Sequence, residues 1–119
     1  MNNENTYKVE ILDNYPDIAK IILKKQVLGG SDALEFNLAV QKVKENNVRA
    51  IIADLKDVEM INSTGLGMLV GTMSTLRNFN IAFVLINVPE KVNYLLEVTH
   101  LNKVLRIFKN LEDAISAFK

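Results

Sequence analysis

Asp54-Leu55-Lys56-Asp57-Val58-Glu59-Met60-Ile61-Asn62-Ser63-Thr64-Gly65-Leu66-Gly67 leads out of one apolar run and into the start of another. The run before it, Ala50 to Leu55, stays apolar until Asp54. Such a run reads as a short strand buried on both faces, as in a parallel sheet covered by helices. After it, Leu66, Leu69, Val70, Met73 and Leu76 recur at helical spacing, and Asn62, Ser63 and Thr64 stand where a helix is capped.

The same alternation continues toward the C-terminus. Ile81 to Ile86 predicts a second buried strand, Pro89-Glu90 opens a helix carrying Val92, Leu95 and Leu96, and Val104 to Phe108 predicts a last strand. His100 ends the intervening helix and is not placed as a general base. Asn110 caps a final helix in which Leu111, Ala114, Ile115 and Phe118 share one stripe, with Glu112 and Asp113 in its first turn.

Toward the N-terminus, Gly29-Gly30 precede a helix with Ala33, Phe36, Val40 and Val43 at helical spacing, fading at Asn46-Asn47. Its expected cap is Ser31 or Asp32, with Glu35 completing a capping box. Tyr7, Val9 and Ile11 alternate with Lys8 and Glu10 as a half-exposed strand does, and Asn14-Tyr15-Pro16-Asp17 turns the chain into Ile18 to Lys24. These two strands are expected to form an antiparallel hairpin. The fold class is therefore α/β: a single open mixed sheet of about five strands, an N-terminal antiparallel hairpin followed by parallel strands, with about four helices. Residues 1–119 are expected to form one domain.

Composition narrows the function. The 119 residues are 49% hydrophobic, enough for a core without staples. There is no cysteine, which excludes a disulfide framework, a thiolate metal site and a cysteine nucleophile. Fourteen basic and fourteen acidic side chains cancel, with no basic block to grip a phosphate backbone, so nucleic acid is not an expected partner. The polar start Met1-Asn2-Asn3-Glu4-Asn5 resembles no export signal, and no apolar run reaches about 18 residues, so no membrane role and a cytoplasmic location are expected. Asp54 and Asp57 resemble a carboxylate pair but lack further ligands, and neither a metal nor a cofactor is expected.

Asp54-Leu55 followed by Ile61-Asn62-Ser63-Thr64-Gly65-Leu66-Gly67 resembles the signature of the STAS domain, the family of sulphate transporters and anti-sigma factor antagonists. The resemblance extends over essentially the whole chain through the order of its elements, and it points to the bacterial anti-sigma factor antagonist branch. It implies the STAS fold and a phosphorylation site at Ser63, with no catalysis by the chain itself. It also implies two partners: an anti-sigma factor Ser/Thr kinase, which binds the unphosphorylated form and thereby frees a sigma factor, and a PP2C-type phosphatase that reverses the mark. A monomer or weak dimer is expected. The alternative is a constitutive STAS adaptor, a scaffold subunit of a signalling complex or a lipid-transport assembly, with no phosphate cycle.

The expected partner-binding residues are Asn62, Ser63, Thr64, Gly65, Leu66, Asp32 and Met60. Two departures from the family's pattern bear on them. Asn62 stands where most relatives carry Asp, and Val27-Leu28-Gly29-Gly30-Ser31-Asp32 lacks the acid that relatives show near Leu28, with Asp32 as its expected substitute. Ser63 and Thr64 read otherwise as simple helix caps. Gly65, Gly67 and Gly71 enter the helix instead of preceding it, so they are expected to serve close helix packing and not a phosphate cradle. Met68 and Met73 are expected in the core and Met60 at the surface. Ser63 as an enzyme nucleophile finds no G-x-S-x-G elbow and no evident base.

Overall fold

A computed structural model describes residues 7–118. The polar start read above, residues 1–5, lies outside them. Along the chain run β1 (Lys8–Leu12), β2 (Tyr15–Ile22), β3 (Gln26–Val27), α1 (Ser31–Lys44), β4 (Ala50–Asp54), β5 (Met60–Ile61), α2 (Ser63–Arg77), β6 (Ala82–Ile86), α3 (Glu90–Val98), β7 (Arg106–Phe108) and α4 (Leu111–Phe118). The five-stranded sheet has the order β1-β2-β4-β6-β7, with β1 antiparallel to β2 and the other neighbours parallel. This is the open mixed sheet with four helices that the apolar runs predict.

Period-two alternation divides the buried strand residues between two cores. Ala19, Ile21, Ile51, Ala53, Phe83 and Leu85 face Phe36, Val40 and Val43 of α1, Leu69, Met73 and Leu76 of α2, and Val92 and Leu96 of α3. Ile18, Ala50, Ile52, Val84 and Ile86 face the other way, onto Ala114 and Ile115 of α4. Both faces of β4 and β6 are therefore dry, which is why their sequences read as unbroken apolar runs.

Several boundaries differ from the sequence reading, each for a physical reason. The hairpin turns at Asp13-Asn14, and Tyr15, Pro16 and Asp17 belong to β2: Leu12 pairs Tyr15, and the irregular register there accommodates a proline near the strand's start. The last strand is shorter than Val104–Phe108 because Leu101–Lys103 forms a 3-10 turn that carries the chain to Arg106. His100 does end α3, in the left-handed conformation (φ 62°) usually left to glycine. Asn110 caps α4 by accepting a 2.9 Å hydrogen bond from the Asp113 N–H.

The expected capping box on α1 does not form. Gly30 is the N-cap, with no side-chain cap bond, because Asp32 and Glu35 are both drawn to the buried Lys24. The packing role expected of the glycines is also divided. A Cβ at Gly65 would lie 2.1 Å from the Val27 carbonyl oxygen, so that glycine is required by close approach. Gly67 and Gly71 are exposed, and a Cβ at either would meet nothing within 4 Å.

Candidate functional site

The loops after β2 and β4 leave the carboxyl end of the sheet side by side, where sites gather in open parallel sheets. They are stitched together by a second sheet not foreseen in the sequence, β3 with β5, pairing Gln26 with Met60 and Val27 with Ile61. The N–H groups of Glu59 and Met60 both donate to the Lys25 carbonyl, at 2.8 and 3.1 Å. Two-residue strands carry too little periodicity to read from sequence. The consequence of their pairing is that Leu28 to Gly30 lies against the N-terminus of α2.

Asn62 is the N-cap of α2, in extended conformation, and its Oδ1 accepts the Gly65 N–H at 2.8 Å. Its Nδ2 donates to the Leu28 carbonyl at 3.1 Å. The N–H of the same Leu28 donates to Asp32 Oδ2 at 2.8 Å. One residue of the β3–α1 loop is thus held at both its donor and its acceptor. Beside it, Gly29 (φ +86°) packs so closely on Thr64 that a Cβ there would lie 2.2 Å from Thr64 Cγ2.

Behind this clamp sits Lys24, 7% exposed, ion-paired with Asp32 and with Glu35 at 3.2 Å. Burial works against the Lys24 charge, but the hydrogen bonds to Asp32 and Glu35, with their charges, outweigh it and hold its pKa above the ordinary lysine value. Burial likewise opposes the Asp32 carboxylate, yet Lys24 and the Leu28 N–H bring its pKa below the ordinary value. The Lys24 ammonium also lies 5.3 Å from the centre of the Tyr7 ring. The Tyr7 hydroxyl is buried and has no hydrogen-bond partner among the described residues. Burial, with the charges of Asp32 and Glu35, pushes its pKa up.

Asp54 fixes the start of the β4–β5 loop. It is 1% exposed, its Oδ1 accepts from the Lys56 N–H (3.0 Å) and from Asn87 Nδ2 (3.2 Å), and Lys20 Nζ lies 3.8 Å from its Oδ2. It therefore caps the loop and does not face solvent.

The residues expected to form a partner surface separate on this geometry. Asn62, Ser63 and Thr64 are exposed at the start of α2, and Met60 is 54% exposed next to them on β5. Leu66 is 3% exposed and packs in the core, because the first turn of α2 directs it onto the sheet; as a partner contact it is corrected to a packing residue. Gly65 is buried beneath the Val27 carbonyl. Asp32 is engaged inward, its side chain 14% exposed, so its influence on the surface passes through Leu28. Sequence reasoning missed Lys24, Leu28 and Gly29. Only the Gly29-Gly30 pair carried a local signal, that of positive-φ backbone.

The first turn of α2 contains no acidic residue, and the helix runs for 15 residues. The positive end of its dipole and its free first-turn N–H groups thus face the Ser63 position with no carboxylate in the turn to neutralise them. An anion on Ser63 is electrostatically accommodated there.

The fold recurs in known proteins. An anti-sigma factor antagonist from Mycobacterium paratuberculosis superposes with a TM-score of 0.78 over 94% of this chain and 92% of its own, at 23% identity. The Bacillus cell fate determinant SpoIIAA, in its phosphorylated form, superposes with a TM-score of 0.69 over 96% of this chain and all of its own (100%), at 16% identity. In sequence, the anti-sigma-B factor antagonist of Listeria monocytogenes is 39% identical over 75 residues, which are 63% of this chain and 63% of that relative's length. The family model described as the STAS domain matches residues 15–114, the span from β2 into α4 that contains both loops of the site. With the signature, the sheet order and that match in agreement, the chain belongs to the STAS domain family.

Proposed function

We propose that this chain is an anti-sigma factor antagonist that works by exchange of partners under control of Ser63. In its unphosphorylated form it binds a cognate anti-sigma factor Ser/Thr kinase and so frees a sigma factor. Phosphorylation of Ser63 by that kinase reverses the binding, and a PP2C-type phosphatase restores it. The chain acts as one cytoplasmic domain and is a substrate, with no catalysis of its own.

The observation that carries this reading is the position of Ser63: exposed, first in α2, next to Asn62, Thr64 and Met60, and over a helix terminus that tolerates negative charge. A phosphate would add a charge of about −1.5 to −2 and considerable bulk to a docking surface without disturbing the core. Binding changes while the fold stays. The curated relative from Listeria is named for antagonism of an anti-sigma factor, and the SpoIIAA structure was solved in a phosphorylated form, which supports the same reading.

A second reading, the constitutive adaptor, is favoured by one feature. The Asn62 amide spends its donor on Leu28, a bond that the carboxylate of most relatives cannot make. Intact-mass measurement and peptide mapping of the protein from its native host, in growth and under stress, separate the two. A mass increase of about 80 Da on Ser63 that changes with condition supports the switch. Its absence in every condition leaves the adaptor.

A further inference from the structure

The outer edge of β1 is the open end of the sheet next to β2, and among the described residues no strand pairs with it. β1 carries no proline, spans five residues, and leaves Val9 42% and Ile11 48% exposed; its charged residues, Lys8 and Glu10, are opposite in sign, and its register is irregular only past Ile11. Both project to the side covered by α1, α2 and α3, since they pair with Ile21 and Ala19, which lie in the larger core.

On the opposite side of the strand the charges form an alternating row. Asp54 Oδ2 lies 3.8 Å from Lys20 Nζ, and Lys20 Nζ lies 3.0 Å from Glu10 Oε2. The row runs acid, base, acid from the buried middle of the sheet to its edge, and ends on Glu10, whose side chain is 50% exposed. The next position outward calls for a cation.

We propose that a second copy of this chain supplies it: β1 pairs with β1 of the partner, antiparallel about a two-fold axis at Val9, joining two sheets into one. The sequence Lys8-Val9-Glu10 complements itself under that operation. Lys8 lies opposite the partner's Glu10, Glu10 lies opposite the partner's Lys8, and Val9 meets the partner's Val9. The acid-base row then continues across the axis, and two exposed apolar side chains per copy gain cover. Any other register moves Lys8 off Glu10, so the charges fix the register as well as the attraction. An edge of five residues is a small interface, and the dimer is weak and concentration-dependent. This inference is independent of any phosphate on Ser63.

Sedimentation velocity of the full chain up to about 1 mM tests it. Wild type is expected to shift from monomer to dimer with concentration. K8E and E10K each place two like-charge pairs at the axis and should weaken self-association about tenfold or more. Mixed in equal amounts, K8E and E10K restore two opposite-charge pairs and should form a heterodimer, so that a folding defect in either variant cannot mimic the result. A wild type that stays monomeric throughout, a dimer indifferent to both charge reversals, or a mixture that fails to associate would each overturn the proposal.

Discussion

Asn62 Nδ2 and the carbonyl oxygen of Leu28 are 3.1 Å apart, although 34 positions separate the two residues. Through this bond the N-cap of α2 holds the β3–α1 loop, whose other handle, the Leu28 N–H, is held by Asp32. The surface around Ser63 is therefore built from two chain segments that are bonded to each other.

Asn62→Asp should separate the two duties of this residue. The carboxylate keeps the cap on Gly65 and gains from the helix dipole, but it loses the donor and sets an oxygen against the Leu28 carbonyl. Amide exchange at 28–30 should quicken while α2 remains protected. Asn62→Ala, which loses both bonds, should cost about 1–2 kcal/mol in chemical denaturation.

Ser63→Ala should leave stability within about 0.5 kcal/mol of wild type, since the side chain is exposed. It should retain binding of the anti-sigma factor kinase, whereas Ser63→Asp and Ser63→Glu should weaken it. Titration calorimetry with the purified kinase checks this, and equal affinity in all three would remove the phosphate switch.

Two glycines of α2 only two residues apart should respond with opposite signs. Gly65→Ala forces a Cβ to within 2.1 Å of backbone oxygen and 2.9 Å of Ile61 Cγ1, and should destabilise by about 3 kcal/mol. Gly67→Ala meets open space in a helix interior and should stabilise by about 0.5–1 kcal/mol. Melting curves give the sign of each.

Acid should open the clamp before it unfolds the sheet. The folded-state pKa of Asp32 is depressed, so its contribution is full above the ordinary value of 3.8 and is lost as pH falls below that. Lys24 is raised, so its contribution is full below 10.5 and is lost as pH rises past it. Protection of the Leu28 amide should be flat between these limits and fall at low pH, and Asp32→Asn should remove the acid-side change.

Lys24→Met tests the same network from behind. It leaves the mostly covered Asp32, and the exposed Glu35 beside it, without their cation and should cost about 1–3 kcal/mol. The double variant Lys24→Met with Asp32→Asn should recover part of that loss, as paired buried charges do when both are removed.

The sequence by itself determined the order of the main-sheet strands and the four helices, the burial of β4 on both faces, and the capped start of α2 that displays Ser63. Each of these is written in local terms: a two-residue or 3.6-residue period, an unbroken apolar run, an Asn-Ser-Thr cap ahead of Leu66 and Leu69. Only the tertiary structure decided which of those residues act together. The pairing of β3 with β5 brings Val27 beneath Gly65 and Leu28 under Asn62, and it is this contact that makes one glycine obligatory while Gly67 and Gly71 stay free. It also turned Asp32 away from the surface, because a buried Lys24 eight positions earlier needed a counter-charge more than solvent did. Side-chain patterns record what a residue prefers along the chain, whereas a contact between distant segments depends on where both backbones come to rest, and no local period encodes that.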